Sequence, residues 1–114
     1  MLLSKNKTLI ILDWDDTLFP TTWITTNEIN LKNNIETDKY KQYFLQVDLD
    51  LNNLLIRLQQ CGTVIIVTNA LLSWIKLSTT ILSKTSKTLT PHRAHPKERQ
   101  DTRGYLNVHA STAL

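Results

Sequence analysis

The chain has little cysteine and no long apolar run, and each shortage excludes a class of protein. Cys61 is the only cysteine among 114 residues, which excludes an intramolecular disulfide framework and a four-cysteine zinc site. The longest apolar runs, residues 9–12 and 64–67, are far shorter than the roughly 20 residues of a membrane-spanning helix. The N-terminus also lacks the sustained apolar core of a secretory signal peptide. We therefore expect a reduced, cytoplasmic protein with no membrane partner.

The remaining composition is that of an ordinary globular chain, but its charge is uneven. Hydrophobic residues make up 41% and charged residues 20% of the sequence. Residues 1–83 carry seven basic and eight acidic side chains, whereas residues 84–114 carry six and two. The second segment also has few large apolar residues and no apolar period. We therefore predict a domain over residues 1–83 and a basic, loosely ordered tail over residues 84–114.

Two short apolar runs and the segments after them predict an α/β fold. Residues 8–12 and 63–68 are apolar and partly β-branched, which is typical of fully buried strands. Between them, apolar residues recur every three or four positions over residues 38–60, which predicts a helix with Asp38 as N-cap and a left-handed Gly62 at its end. A second helical pattern spans residues 71–82. Two strands joined by a helical crossover are expected to be parallel.

Acidic residues follow the first of these strands directly. Asp13, Asp15 and Asp16 place three carboxylates within four residues, and such a cluster is costly unless a cation neutralises it. Carboxylate and carbonyl oxygens are the ligands that Mg²⁺ prefers. Thr68 and Asn69 end the second strand, and the carboxyl ends of parallel strands are where ligands bind in open sheets. The sequence thus predicts a Mg²⁺ and phosphate site at this edge.

The motif of residues 11–18, an apolar strand followed by Asp-Trp-Asp-Asp-Thr-Leu, resembles the first motif of the haloacid dehalogenase-like phosphohydrolases. Residues 64–69, an apolar strand ending in Thr-Asn, are similar to the second motif of that family. The resemblance spans residues 8–83 and implies a partial Rossmann-like parallel sheet. It also implies a Mg²⁺-dependent phosphohydrolase or phosphotransferase that forms an aspartyl-phosphate intermediate.

The resemblance assigns a role to five residues. Asp13 would be the nucleophile and a Mg²⁺ ligand, and Asp15 would be the general acid and base and would offer its backbone carbonyl to the metal. Thr17 would brace the loop, and the phosphate-binding set is Thr17, Thr68 and Asn69. Asp16 matches a variable position and receives no role.

The third and fourth motifs of the family, a basic residue and further acids, are not recognisable in the sequence. In the sequence no apolar strand precedes the candidate cations, which are Lys84, Lys87 and Lys97. The same is true of the candidate acids, Glu98 and Asp101. Two alternatives therefore stay open: a non-catalytic, truncated binding or scaffold protein, and a nucleic-acid-associated protein acting through the basic tail. The tail lacks interleaved aromatics and any recognisable module, so nucleic acid is the weaker alternative.

The segment between the two motifs indicates an open site. Residues 18–37 are too few for a separate cap domain, which favours a phosphorylated substrate of macromolecular size. Trp14 and Trp23 are expected at the entrance, and Trp74 in the core. A two-stranded sheet also leaves an uncovered edge, where a second subunit or a partner is expected.

Overall fold

The computed structural model describes residues 5–68, 70–91 and 104–108. The protein is mixed α/β, with a parallel strand pair and helices as the sequence predicts. Among the described residues no helix is both long and apolar enough to cross a membrane. After a 3-10 turn at Lys5–Lys7, the elements are β1 (Leu9–Asp13), α1 (Thr21–Thr26), α2 (Asn34–Lys39), α3 (Lys41–Gln59), β2 (Thr63–Thr68), α4 (Leu72–Thr80), α5 (Ser83–Thr88), β3 (Leu89–Pro91) and β4 (Gly104–Val108).

The sheet has the strand order β1-β2-β4-β3. β1 and β2 are parallel, and their register places Asp13 opposite Val67. β4 is antiparallel to both β2 and β3. The two-stranded sheet expected from the sequence is therefore wrong, because β4 and β3 extend it to four strands. β4 takes the edge of β2 that β1 leaves free, and a pairing between such distant segments leaves no period in the sequence.

The crossover helix is real but interrupted. The predicted helix over residues 38–60 is two helices, α2 and α3, with Tyr40 between them. The N-cap predicted at Asp38 is wrong, because the side chain of Asn33 caps α2 by accepting from the backbone N–H groups of Ile35 (2.9 Å) and Glu36 (3.4 Å). The apolar stripe of α3 builds the core together with buried side chains of β2, of α4 and of the link between α4 and α5: Phe44, Leu51, Leu55, Val64, Ile66, Ile75 and Leu82.

Gly62 is required for a reason other than the predicted one. It does not adopt positive φ, so the predicted left-handed helix end is wrong. A Cβ added at Gly62 would lie 2.6 Å from the backbone oxygen of Thr8 and 2.9 Å from its Cβ. The next residue, Thr63, donates its N–H to that same Thr8 oxygen at 2.9 Å. Glycine therefore allows the chain to approach the start of β1 closely enough to begin the parallel pairing.

The helices that the structure describes cover one face of the sheet and leave the other exposed. Val64 and Ile66 of β2 are buried in the helical core, whereas Leu9 is 56% exposed, Ile11 62% and Val67 43%. The prediction that β1 is fully buried is therefore wrong. The apolar run predicted that helices cover both faces of β1. In the structure β1 is an edge strand, and the described helices pack on one face.

The segment directly after residue 83 is ordered against α3. Asp48 of α3 is 2% exposed and accepts the backbone N–H groups of Lys84 and Thr85, each at 2.8 Å. Thr85 returns a hydrogen bond from its hydroxyl to the Asp48 carbonyl at 3.2 Å. Within the segment 84–114, for which the sequence predicts a loosely ordered tail, the structure describes most of α5, β3 and β4. The rest of that segment lies outside the described residues.

Candidate functional site

An open cleft lies at the carboxyl ends of β1 and β2. It has a volume of about 320 Å³ and is lined by Ile11, Leu12, Asp13, Val67 and Thr68. The parallel register brings Asp13 beside the end of β2, as expected for strands that end at the same edge of a sheet. Two of the sequence-predicted site residues, Asp13 and Thr68, therefore line one cleft.

Asp13 is the exposed carboxylate of this cleft. It is the last residue of β1, and its Oδ2 accepts a hydrogen bond from the hydroxyl of Thr17 at 3.3 Å. Within the described part of the chain this long contact is the only hydrogen bond of the Asp13 carboxylate, which is exposed to solvent and to a ligand. Thr17, for which the resemblance implies a role in bracing the loop, thus contacts Asp13 through its hydroxyl.

A tight turn after Asp13 brings the following acids back towards the strand ends. The Trp14 carbonyl accepts from the backbone N–H groups of Leu18 and Phe19, each at 3.0 Å. Asp16 adopts φ of 61°, the left-handed conformation that aspartate tolerates better than most residues. This turn is why two acids separated by a single residue in sequence both lie next to Thr68.

The carboxylate of Asp15 is held by three side chains from three separate elements. Its Oδ1 accepts from the Thr21 hydroxyl of α1 at 2.6 Å and from the Trp74 indole Nε1–H of α4 at 3.0 Å. Its Oδ2 accepts from the Thr68 hydroxyl of β2 at 3.0 Å. Asp15 therefore links α1, the end of β2 and α4 at one half-buried point.

The hydroxyl of Thr68 is engaged in both directions. It donates its proton to Asp15 and accepts the backbone N–H of Ala70 at 2.9 Å. To donate to a phosphoryl oxygen, as the family resemblance implies, Thr68 must exchange Asp15 for that oxygen. Asn69, the other predicted phosphate-binding residue on this strand end, lies outside the described residues.

Asp16 caps α1. Its Oδ1 accepts the Thr22 backbone N–H at 2.7 Å and its Oδ2 accepts the Thr22 hydroxyl at 2.6 Å. These two hydrogen bonds hold the pKa of Asp16 below its ordinary value because both stabilise the charged form. The bond from the Thr22 hydroxyl has the larger effect and the bond from the Thr22 backbone the smaller. The neighbouring acids thus bind neighbouring threonines, Asp15 to Thr21 and Asp16 to Thr22, and together they fix α1 on the turn.

Aromatic packing supports the turn from beneath. Trp14 is fully buried, stacks on Phe19 with ring centroids 5.4 Å apart and donates its indole N–H to Ser78 Oγ of α4 at 3.1 Å. The expectation that Trp14 lines the entrance is therefore wrong. Trp23 is half-buried and packs against Tyr40 and Tyr43, with centroid distances of 5.4 and 4.6 Å.

Two partners of Asp15 were not found by sequence reasoning. Thr21 lies in a segment with no recognisable pattern, and Trp74 fits the apolar period of its helix and so was expected in the core. It does contact the core through Phe19, at a centroid distance of 6.1 Å. Its indole N–H, however, reaches a residue 59 positions earlier in the chain, and no local pattern indicates such a contact.

The oxygen donors at this edge are chemically suited to Mg²⁺. No group of three or more His, Cys, Asp or Glu side chains is placed to hold a metal in the part of the chain that the structure describes. Protein Mg²⁺ sites, however, often use one or two protein oxygens and complete the shell with water and phosphate. The exposed Asp13 carboxylate fits that need. The Asp15 side chain does not, because both its oxygens accept other hydrogen bonds, which leaves its backbone carbonyl.

Comparison of the chain with protein-family models, with curated proteins and with solved structures gives no match.

Proposed function

We propose that the protein is a Mg²⁺-dependent phosphohydrolase or phosphotransferase of the haloacid dehalogenase type, built on a partial Rossmann-like sheet. The observation that carries this proposal is the pairing of two unlike carboxylates at one strand end. Asp13 is exposed in the cleft with a single 3.3 Å contact to Thr17, whereas Asp15 is held by three donors. An accessible nucleophile beside a fixed acid–base residue is what phosphoryl transfer through an aspartyl-phosphate requires.

The reaction proceeds in two steps. In the first, a carboxylate oxygen of Asp13 forms a bond to phosphorus while the bond from phosphorus to the leaving oxygen breaks, and Asp15 supplies the proton that the alcohol carries away. In the second, Asp15 takes a proton from water, the water oxygen attacks phosphorus, and Asp13 leaves as a free carboxylate. The products are the alcohol and inorganic phosphate. Each proton transfer at Asp15 requires one of its three hydrogen bonds to be exchanged.

The cation of this proposal is Mg²⁺, which the Asp13 carboxylate and the Asp15 backbone carbonyl would hold. When bound, it neutralises the charge between the anionic nucleophile and the anionic phosphate. The side chains that contact the two carboxylates within the described residues are uncharged: two threonine hydroxyls and an indole at Asp15, and one threonine hydroxyl at Asp13. The proposal therefore makes the activity strictly metal-dependent.

The proposed substrate class is a phosphorylated macromolecule. The cleft is open and lies beside the apolar sheet face that no described helix covers. The short segment between β1 and α3 adds helices of only six residues each, α1 and α2. A substrate too large to be enclosed would still reach Asp13. The edge of β1 and the uncovered face would also accept a second subunit or a partner.

The test is hydrolysis of an aryl phosphate by the purified full chain with and without Mg²⁺. We expect turnover that needs the metal and is lost in Asp13→Asn. The matched control is Asp50→Asn, because Asp50 is an exposed carboxylate of α3 that contacts Gln46. A folded wild-type chain that shows no metal-dependent turnover, or one whose activity survives Asp13→Asn, would contradict the proposal.

One observation favours a non-catalytic binding or scaffold protein as the second candidate. Asp15 and Thr68 satisfy each other, so the groups proposed for proton transfer and phosphate binding are already paired. In that case the chain would bind Mg²⁺ or phosphate without releasing phenol from an aryl phosphate. The nucleic-acid alternative rests on basic residues that lie largely outside the described residues, and salt-sensitive binding that persists in Asp13→Asn would favour it.

A further inference from the structure

Trp74 differs from the other donors to Asp15 in being unable to change its partner easily. Thr21 and Thr68 donate through hydroxyl groups, which rotate and which both donate and accept. The indole N–H of Trp74 only donates, and its ring is packed edge-on against Phe19 with centroids 6.1 Å apart. Phe19 is itself stacked on the fully buried Trp14. The direction of the Trp74 N–H is therefore fixed by the core.

The two oxygens of Asp15 are not equivalent in this arrangement. Oδ1 accepts from Trp74 at 3.0 Å and from Thr21 at 2.6 Å. Among the residues that the structure describes, only Thr68 donates to Oδ2, at 3.0 Å, and Thr68 also lines the cleft. Exchange of a hydrogen bond for water or a leaving group is therefore easier at Oδ2, because its donor is a rotatable hydroxyl of a residue that lines the cleft.

We infer that Trp74 is a positioning residue that, with Thr21, holds Oδ1 of Asp15 and reserves Oδ2 for proton transfer. This inference rests on the proposed function. It assigns the third residue of α4 to the site rather than to the core alone. It also explains the reciprocal contacts between α4 and the turn, in which Trp74 donates to Asp15 and Ser78, one helical turn later, accepts from Trp14.

The test compares Trp74→Phe with Ser78→Ala in the full chain, using an aryl phosphate and Mg²⁺. Phenylalanine keeps a ring against Phe19 but has no N–H. Because a phenolate leaves without a proton, the first step does not need Asp15 and the second does. We therefore expect Trp74→Phe to keep the initial burst of phenol and to lower kcat by roughly 10- to 100-fold, the size expected for a misplaced proton-transfer group. Ser78→Ala, which removes the partner of Trp14 only, should keep kcat within about twofold.

A second readout does not depend on turnover. In ¹⁵N-labelled protein, the indole Nε1–H resonance that disappears in Trp74→Phe is that of Trp74, and we expect it to shift in Asp15→Asn but not in Asp50→Asn. If Trp74→Phe does not fold, Thr21→Val removes the other Oδ1 donor and should lower kcat in the same step.

The outcomes separate the two proposals. If the wild-type chain shows no turnover that depends on Asp13, both the proposed function and this inference are contradicted. Suppose instead that turnover by the wild-type chain depends on both Asp13 and Asp15. Only the inference is then overturned if Trp74→Phe keeps the wild-type kcat, or if Ser78→Ala lowers kcat as much as Trp74→Phe does. An indole resonance of Trp74 that is unmoved by Asp15→Asn also overturns it.

Discussion

Two aspartates bind distant parts of the chain, and they do so in opposite ways. Asp48 is 2% exposed and accepts two backbone N–H groups at the start of α5, both at 2.8 Å. Asp15 is half-buried beside an open cleft and accepts three side-chain donors. Backbone N–H groups at a helix start cannot turn elsewhere, whereas two of the three donors to Asp15, Thr21 and Thr68, are hydroxyls that can. The first contact is therefore a permanent anchor for the fold, and the second is suited to exchange.

The largest effect on stability is expected at the anchor. Asp48→Ala leaves the N–H groups of Lys84 and Thr85 buried or half-buried without an acceptor, and each such loss costs about 1–3 kcal/mol. We expect the free energy of unfolding to fall by about 3 kcal/mol. The measurement is urea unfolding followed by far-UV circular dichroism.

The control for Asp48 is two residues further along the same helix. Asp50 is exposed, and Asp50→Ala should change the free energy of unfolding by less than about 0.5 kcal/mol. Equal losses in the two variants would remove the distinction between an anchor and a surface carboxylate. They would also show that residues 84–91 do not depend on Asp48.

Asp15→Asn should have a smaller effect on stability than Asp48→Ala. The amide places its NH₂ group against donors that need an acceptor, so one of the three hydrogen bonds is lost at a half-buried site. We expect a loss of about 1–2 kcal/mol in the free energy of unfolding. A loss as large as that in Asp48→Ala would show that Asp15 is a structural anchor too, and would remove the contrast between the two sites.

The smallest effect concerns Asp16 and appears only in acid. Its pKa is held below the ordinary value by Thr22, so the unfolded chain binds a proton more readily than the folded one. The ionised Asp16 therefore contributes to the stability of the folded state. This contribution to stability is fully present above the unfolded pKa of about 3.9 and is lost as pH falls through the lower pKa of the folded state. Between pH 5 and 2, wild-type melting temperature should therefore fall more steeply than that of Asp16→Asn. If the curves of melting temperature against pH were parallel for the two proteins, the ionised Asp16 would not stabilise α1.

The parallel strand pair and the position of the acids were predictable because their signals are local. Residues 63–68 are a continuous β-branched run, and β2 spans Thr63–Thr68 as predicted. Asp13 ends β1, so the acids had to lie at the strand ends. The exposure of β1 was not predictable, because an apolar run does not tell whether helices cover one face of a sheet or both.

The parts that the sequence did not reveal depend on contacts between distant residues. Asp48 and Thr85 are 37 positions apart and Asp15 and Trp74 are 59 apart. α5 has a polar sequence with no apolar period, and its ordering comes from Asp48 rather than from its own propensity. Trp74 fits the apolar period of a core helix, but its indole N–H donates to Asp15. Periodicity therefore predicted the packing of the ring and not the hydrogen bond.

We propose Asp13 as the nucleophile and Asp15 as the residue that activates water in the second step. The most direct measurement is the intact mass of Asp15→Asn after brief reaction with an aryl phosphate and Mg²⁺, quenched in acid. We expect one phosphoryl group added to the chain, mapped to Asp13, with one equivalent of phenol released. No adduct in a folded Asp15→Asn chain, or an adduct that persists in the Asp13→Asn, Asp15→Asn double variant, would contradict the account.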